Sequence, residues 1–153
     1  MALRLRAELP ALEGVTEWVN GAPDMAQLQG RPVLVHFWAV SCSCCKDGLP
    51  ILNDWRDRFQ AQYGLQLIGV HMPRTEQDRN IAETKRMIEQ YKLRHPVAID
   101  NEQTVNDAFL NEYVPAYYLF DAQGQMRFYG AGEKALGMVE QRIHKLLGSQ
   151  EEA

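Results

Sequence analysis

Residues 32–38, Pro-Val-Leu-Val-His-Phe-Trp, are a short, nearly continuous apolar run rich in β-formers, with Gln29-Gly30-Arg31 just before it. Such a run reads as a central strand covered on both faces, so other elements must pack above and below it. A cluster of cysteines, Cys42, Cys44 and Cys45, follows closely. Leu49, Leu52, Trp55, Phe59 and Tyr63 then recur every three or four residues, with Gly64 where a C-cap belongs. That is the pattern of an amphipathic helix of about five turns. A buried strand leading into a long helix calls for a layered α/β architecture.

The rest of the chain continues the alternation. Residues 65–70 form a second buried strand, Arg74 to Asn80 a polar loop, and Ile81, Ile88 and Tyr91 mark a second helix. Residues 96–100 are a short strand, and Val105, Ala108 and Phe109 mark a short helix. Residues 116–120 are another strand, turned by Asp121-Ala122-Gln123-Gly124 into 125–129. Leu136, Val139, Ile143, Leu146 and Leu147 form a last helix, ended by Gly148. Helices between most strands predict crossover connections, hence a mostly parallel central sheet finished by a C-terminal antiparallel hairpin, with helices on both faces.

The 153 residues, 46% hydrophobic and 24% charged, match one globular domain. Residues 1–153 are read as a single domain with a frayed tail at 149–153. The net charge of -4 comes without a long basic run, which argues against a nucleic-acid partner. No apolar stretch approaches the roughly 18–20 residues of a membrane span, and the residues from Met1 to Gly14 lack the apolar core of a secretory signal. No membrane partner is expected, and the cytoplasm is the expected compartment.

The three cysteines lie within four residues, so no bridge among them can close a long loop. They are local chemistry. Where a strand ends and a helix begins, unpaired amides and the helix dipole stabilise a thiolate. That makes Cys42 the candidate nucleophile. Cys45, one turn on, can attack a mixed disulfide formed on Cys42. Two other readings stay open at this point: small buried hydrophobes, or soft ligands for zinc or copper(I). Against a metal stand the absence of a second cysteine pair and the scatter of His36, His71, His95 and His144 along the chain.

The segment from Phe37 to Lys46, Phe-Trp-Ala-Val-Ser-Cys-Ser-Cys-Cys-Lys, with Pro50 after it, resembles the active-site segment of the thioredoxin superfamily. Val114-Pro115-Ala116-Tyr117-Tyr118-Leu119-Phe120-Asp121 resembles that superfamily's cis-proline strand. The helix and strand between Arg74 and Asp100 resemble the central insertion of its TlpA/ResA-like branch, and the likeness runs from Leu3 to Leu147. It implies a thioredoxin-like fold acting on protein or small-molecule disulfides, with no bound cofactor and a thiol electron donor. By the same resemblance Cys42 is the exposed nucleophile, Cys45 the resolving thiol and Pro115 a cis-proline beside them. Pro50 then lies inside a kinked helix.

The chain also departs from the pattern. His36 stands where thioredoxins carry a buried acid, so His36 and Glu76 (with Glu83) are candidate proton acceptors for Cys45. Ser41 replaces the usual Trp, and Ser43-Cys44 the usual Gly-Pro. Cys44 is expected to point away from Cys42 as a bystander. Trp38, Ser41, Ser43 and Val114 are the candidate substrate-groove residues, and one of Tyr117 and Tyr118 is expected to face the core while the other lines the cleft. The expected activity is disulfide reduction. A thiol peroxidase and a copper(I)-binding module are the alternatives. The peroxidase lacks its Pro and Thr before the cysteine, and the copper module lacks its wider cysteine spacing.

Overall fold

The computed structural model describes residues 2–148, so the tail expected at 149–153 lies outside the described residues. In chain order its elements are β1 (Glu17–Val19), α1 (Met25–Leu28), β2 (Val33–Trp38), α2 (Ser43–Tyr63), β3 (Gln66–His71), a 3-10 turn (Gln77–Arg79), α3 (Ile81–Gln90), β4 (Val97–Ile99), α4 (Thr104–Ala108), β5 (Ala116–Phe120), β6 (Met126–Ala131) and α5 (Leu136–Leu147). The strands form one sheet in the order β1-β4-β3-β2-β5-β6. β2 is buried at every position, as its apolar run demands. Its side chains alternate between two cores. Leu34 and Trp38 face α2, α3 and α5, while Val33, Val35 and Phe37 pack with Leu28 before the turn and Val105 and Phe109 of the α4 region.

This is a thioredoxin-like α/β fold, but its sheet is mixed and not mostly parallel. β2 runs parallel to β3, and β3 to β4. The other three pairings, β1 with β4, β2 with β5 and β5 with β6, are antiparallel. The reason lies in α4. The Asp100 amide donates to the His71 carbonyl at 3.1 Å, so β4 ends beside the carboxyl end of β3. The link through α4 stays at that end of the sheet, with Asn111 Nδ2 reaching Met72 Sδ at 3.5 Å. β5 therefore enters where β2 finishes, with Ala116 opposite Phe37, and runs back along it.

The N-terminal pair β1 and α1 has no counterpart in the sequence pattern. β1 is three half-buried residues, held by its register on β4, with Glu17 opposite Ile99. α1 is capped by Asp24, which accepts the Ala26 amide at 2.9 Å. α2 continues through Pro50, and its last turn closes on Gly64 at φ 76, a left-handed conformation that glycine adopts without penalty.

Gly69, in the middle of β3, lies opposite His36. A β-carbon there would come within 2.9 Å of His36 Nε2 and 3.3 Å of Val97 Cγ2. The His36 ring is itself held by His95 at 2.8 Å, so moving it away from a new β-carbon disturbs that contact. Gly69→Ala should therefore destabilise the fold by about 1–3 kcal/mol, the usual cost of overpacking. Urea unfolding should show a lowered midpoint; an unchanged midpoint would mean that the packing of His36 against β3 is looser than described.

Candidate active site

β2 ends at Trp38, and the chain turns through Ala39, Val40 and Ser41 into α2. Cys42 is the N-cap of that helix, with extended φ −100° and ψ 103°, and its sulfur accepts the Cys45 amide at 3.1 Å. An amide aimed at sulfur favours the charged form of a reduced Cys42. Cys42 and Cys45 are joined as a disulfide with Cα atoms 5.2 Å apart. The sulfurs are not exposed. Cys42 is 3% accessible and Cys45 2%, contrary to the exposed nucleophile that the resemblance implies. Cys44 is half-exposed, and its Sγ lies 3.6 Å from Cys42 Sγ. It does not point away. The helical wheel separates positions i and i+2, but Cys42 is an N-cap with non-helical backbone and is not on the wheel.

The Val114–Pro115 bond is cis. Because Ala116 is opposite Phe37, Pro115 comes level with the end of β2, beside the turn that carries the cysteines. Its carbonyl accepts the Gly132 amide at 2.9 Å, which fixes the strand entry. Val114 is half-buried and touches both cores. Of the other groove candidates, Ser41 and Ser43 are exposed. Trp38 is not a groove residue: at 1% accessibility it lies beneath the turn, edge-on to His71 with ring centroids 4.8 Å apart. Tyr117 and Tyr118 do fall on opposite faces, yet both are buried, and Tyr118 donates to Asn111 Oδ1 at 2.8 Å.

A cleft of about 850 Å³ opens beside the turn, lined by Val40, Ser41, Glu83 and residues 75–80. Asp78 anchors its floor. It accepts the Ser41 amide at 3.0 Å, the Ser41 hydroxyl at 2.7 Å and the Arg74 amide at 2.9 Å. Arg74 Nε also donates to Ser41 Oγ at 3.1 Å. Burial pulls the Asp78 carboxyl upward, but the bonds from Ser41 and Arg74, with His71 nearby, outweigh it and hold the carboxyl below its ordinary range. His71 Nε2 accepts the Val40 amide at 3.0 Å. Two side chains from β3 and the following loop thus pin the residues just before Cys42.

The candidate proton acceptors are placed differently. His36 lies on the α2 face of β2, between Leu34 and Trp38, and its Nε2 meets His95 Nε2 at 2.8 Å. Burial lowers His36 to about 3, and lowers His95 as well, with His36 and Arg56 adding to the effect. At neutral pH both rings are uncharged, and one N–H is shared between them. Neither His36 nor Glu76 is hydrogen-bonded to Cys45; Glu76 is exposed on the wall of the cleft. A base held near 3 is a weak acceptor, so His36 acts first as a packed core imidazole.

Asp78, His71 and His95 were not legible as site residues. Asp78 lies in a loop of mixed polar residues with no periodicity to single it out. His71, ending an apolar strand level with Trp38, did carry a signal: a polar residue closing a buried run beside an active-site turn.

With the geometry in place, comparison with known proteins gives a consistent result. Residues 7–129 match the AhpC/TSA family. The chain is 40% identical over 150 residues to the thiol-disulfide oxidoreductase YkuV of Bacillus subtilis (strain 168), covering 97% of this chain and 100% of that one. It is 24% identical over 132 residues to the thiol-disulfide oxidoreductase ResA of Bacillus anthracis, covering 86% of this chain and 73% of that one. Among solved structures, a thioredoxin-like protein in the oxidized form, determined in solution, superposes with a TM-score of 0.87 at 40% identity, over 97% of this chain and 100% of that one.

The buried imidazoles make stability depend on pH. Burial holds His36 at about 3 and His71 at about 4, the latter against a smaller upward pull from Asp78, compared with 6.5 for an ordinary imidazole. Between those limits the unfolded chain binds protons that the folded chain refuses, so stability present above pH 6.5 is lost as the pH falls. Each such group costs on the order of 1 kcal/mol per pH unit. Urea midpoints should fall steadily below pH 6.5, with a shallower slope in His36→Asn. A flat profile in both proteins would contradict the burial of neutral imidazoles.

Proposed function

Because the chain belongs to the AhpC/TSA family and is a thiol-disulfide oxidoreductase of thioredoxin-like fold, we propose that it works as a disulfide reductase on protein or small-molecule disulfides in the cytoplasm. The observation that carries this reading is the Cys42–Cys45 pair, joined across the first turn of α2 with the Cys45 amide on the Cys42 sulfur. The compartment is supported by cysteine usage: all three cysteines lie in the redox cluster and none staples the fold.

In the reduced protein, Cys42 attacks one sulfur of the substrate disulfide. A mixed disulfide forms, and the first substrate thiolate leaves. Cys45 then attacks Cys42 Sγ, the second substrate thiol is released reduced, and the Cys42–Cys45 bond closes. Two thiols of an electron donor then restore the dithiol: the first attacks Cys42 Sγ and frees Cys45, and the second displaces Cys42, leaving the donor as a disulfide. Val114, presented by the cis bond at the end of β2, offers backbone against which an extended substrate segment can pair. Ser41, held by Asp78, borders the cleft where the rest of that substrate lies.

Reduction of insulin disulfides with dithiothreitol as donor tests the reading. Cys42→Ser should lower the rate at least about a hundredfold, as loss of an attacking nucleophile does. A Cys42→Ser protein that reduces insulin at the wild-type rate would refute it.

A further inference from the structure

The most accessible cysteine of the cluster is not a member of the disulfide. Cys42 and Cys45 are 3% and 2% accessible, whereas Cys44 is half-exposed and packs at the edge of the core that holds the other two. Its Sγ lies 3.6 Å from Cys42 Sγ, in contact with the sulfur that carries the mixed disulfide. A disulfide needs about 2.05 Å, so the two sulfurs must approach by about 1.5 Å to bond. The neighbourhood is shared with Tyr117, whose phenol is pushed above its usual range first by burial and then by the Cys44 sulfur.

We propose that Cys44 is a second resolving thiol, able to attack Cys42 Sγ and exchange the mixed disulfide for a Cys42–Cys44 bond. The inference rests on the reductase reading above and extends it to a residue that the C-x-x-C pair leaves unused. The electron balance is that of any thiol-disulfide exchange. Deprotonated Cys44 supplies an electron pair to Cys42 Sγ, the bond from Cys42 to the substrate sulfur breaks, and the substrate leaves as a thiolate that takes up a proton. No further oxidant is needed. In the oxidised protein the same attack moves the bond from Cys42–Cys45 to Cys42–Cys44 and frees Cys45. The geometry that permits this is the N-cap: extended backbone at Cys42 turns its sulfur toward both the residue two places on and the residue three places on.

The test uses dithiodipyridine at one molecule per chain, reading released thiopyridone by absorbance and the bond by peptide mass. In Cys45→Ser, and in Cys45→Ala as a second background, both halves of the reagent should be released and Cys42–Cys44 should form. The Cys44→Ser/Cys45→Ser chain should release half as much and keep the pyridyl adduct. A lasting adduct in both single Cys45 variants overturns the inference while leaving the reductase reading intact. A lasting adduct in the wild-type chain undoes the reading on which it rests. Should neither Cys45 variant fold, the oxidised wild-type chain is alkylated at low pH and fragmented. A fraction labelled on Cys45 is then expected, and label on Cys44 alone would overturn the proposal.

Discussion

The hydrogen bond from the Cys45 amide to the Cys42 sulfur ties the site to the fold. It requires Cys42 to be the last non-helical residue before α2, which in turn requires β2 to end at Trp38 and the chain to turn within three residues. Because β2 is central and α2 long, the sulfur is held by the largest elements of the molecule. The helix contributes unpaired amides and its dipole at the position where charge develops when the disulfide opens. The same cap conformation brings the third sulfur within contact of the first.

Around that turn the protein uses two kinds of support. On one side lies apolar packing, with Trp38 and Leu49 buried among the core that also contains both disulfide cysteines. On the other is a polar clamp, in which His71 takes the Val40 amide while Asp78 takes the amide and hydroxyl of Ser41. The clamp satisfies backbone donors that would otherwise be orphaned as the strand gives way to the helix. Below it, the His36–His95 contact fills the space over Gly69 with two neutral rings.

Much of this was legible from local pattern. The run ending at Trp38, the stripe from Leu49 to Tyr63 and the segment Ala116–Phe120 each declare their element through burial, periodicity or β-branched and aromatic content, and the disulfide pair follows from its place between the first two. Long-range choices were not legible. The three residues of β1 form a strand only because β4 offers an open edge. The direction of β5 depends on the link after β4 staying at the carboxyl end of the sheet, which no local pattern announces. His36 and His95 are 59 residues apart, and nothing local announces that they meet. Cys44 lies toward Cys42 and not away from it because helical geometry does not reach onto a cap whose backbone is extended.

The most direct measurement is a titration of the Cys42–Cys45 couple against defined thiol buffers, with alkylation and peptide mass to identify the bond. Known dithiols span about −270 mV for thioredoxin to about −120 mV for a strong oxidant. A reductase of cytosolic disulfides should titrate at or below about −250 mV as a two-electron couple closing through Cys42. A couple near −150 mV, on the oxidising side of about −180 mV for an isomerase, would contradict reduction as its direction of work. Failure of Cys42 to form any internal disulfide would contradict the thiol chemistry itself.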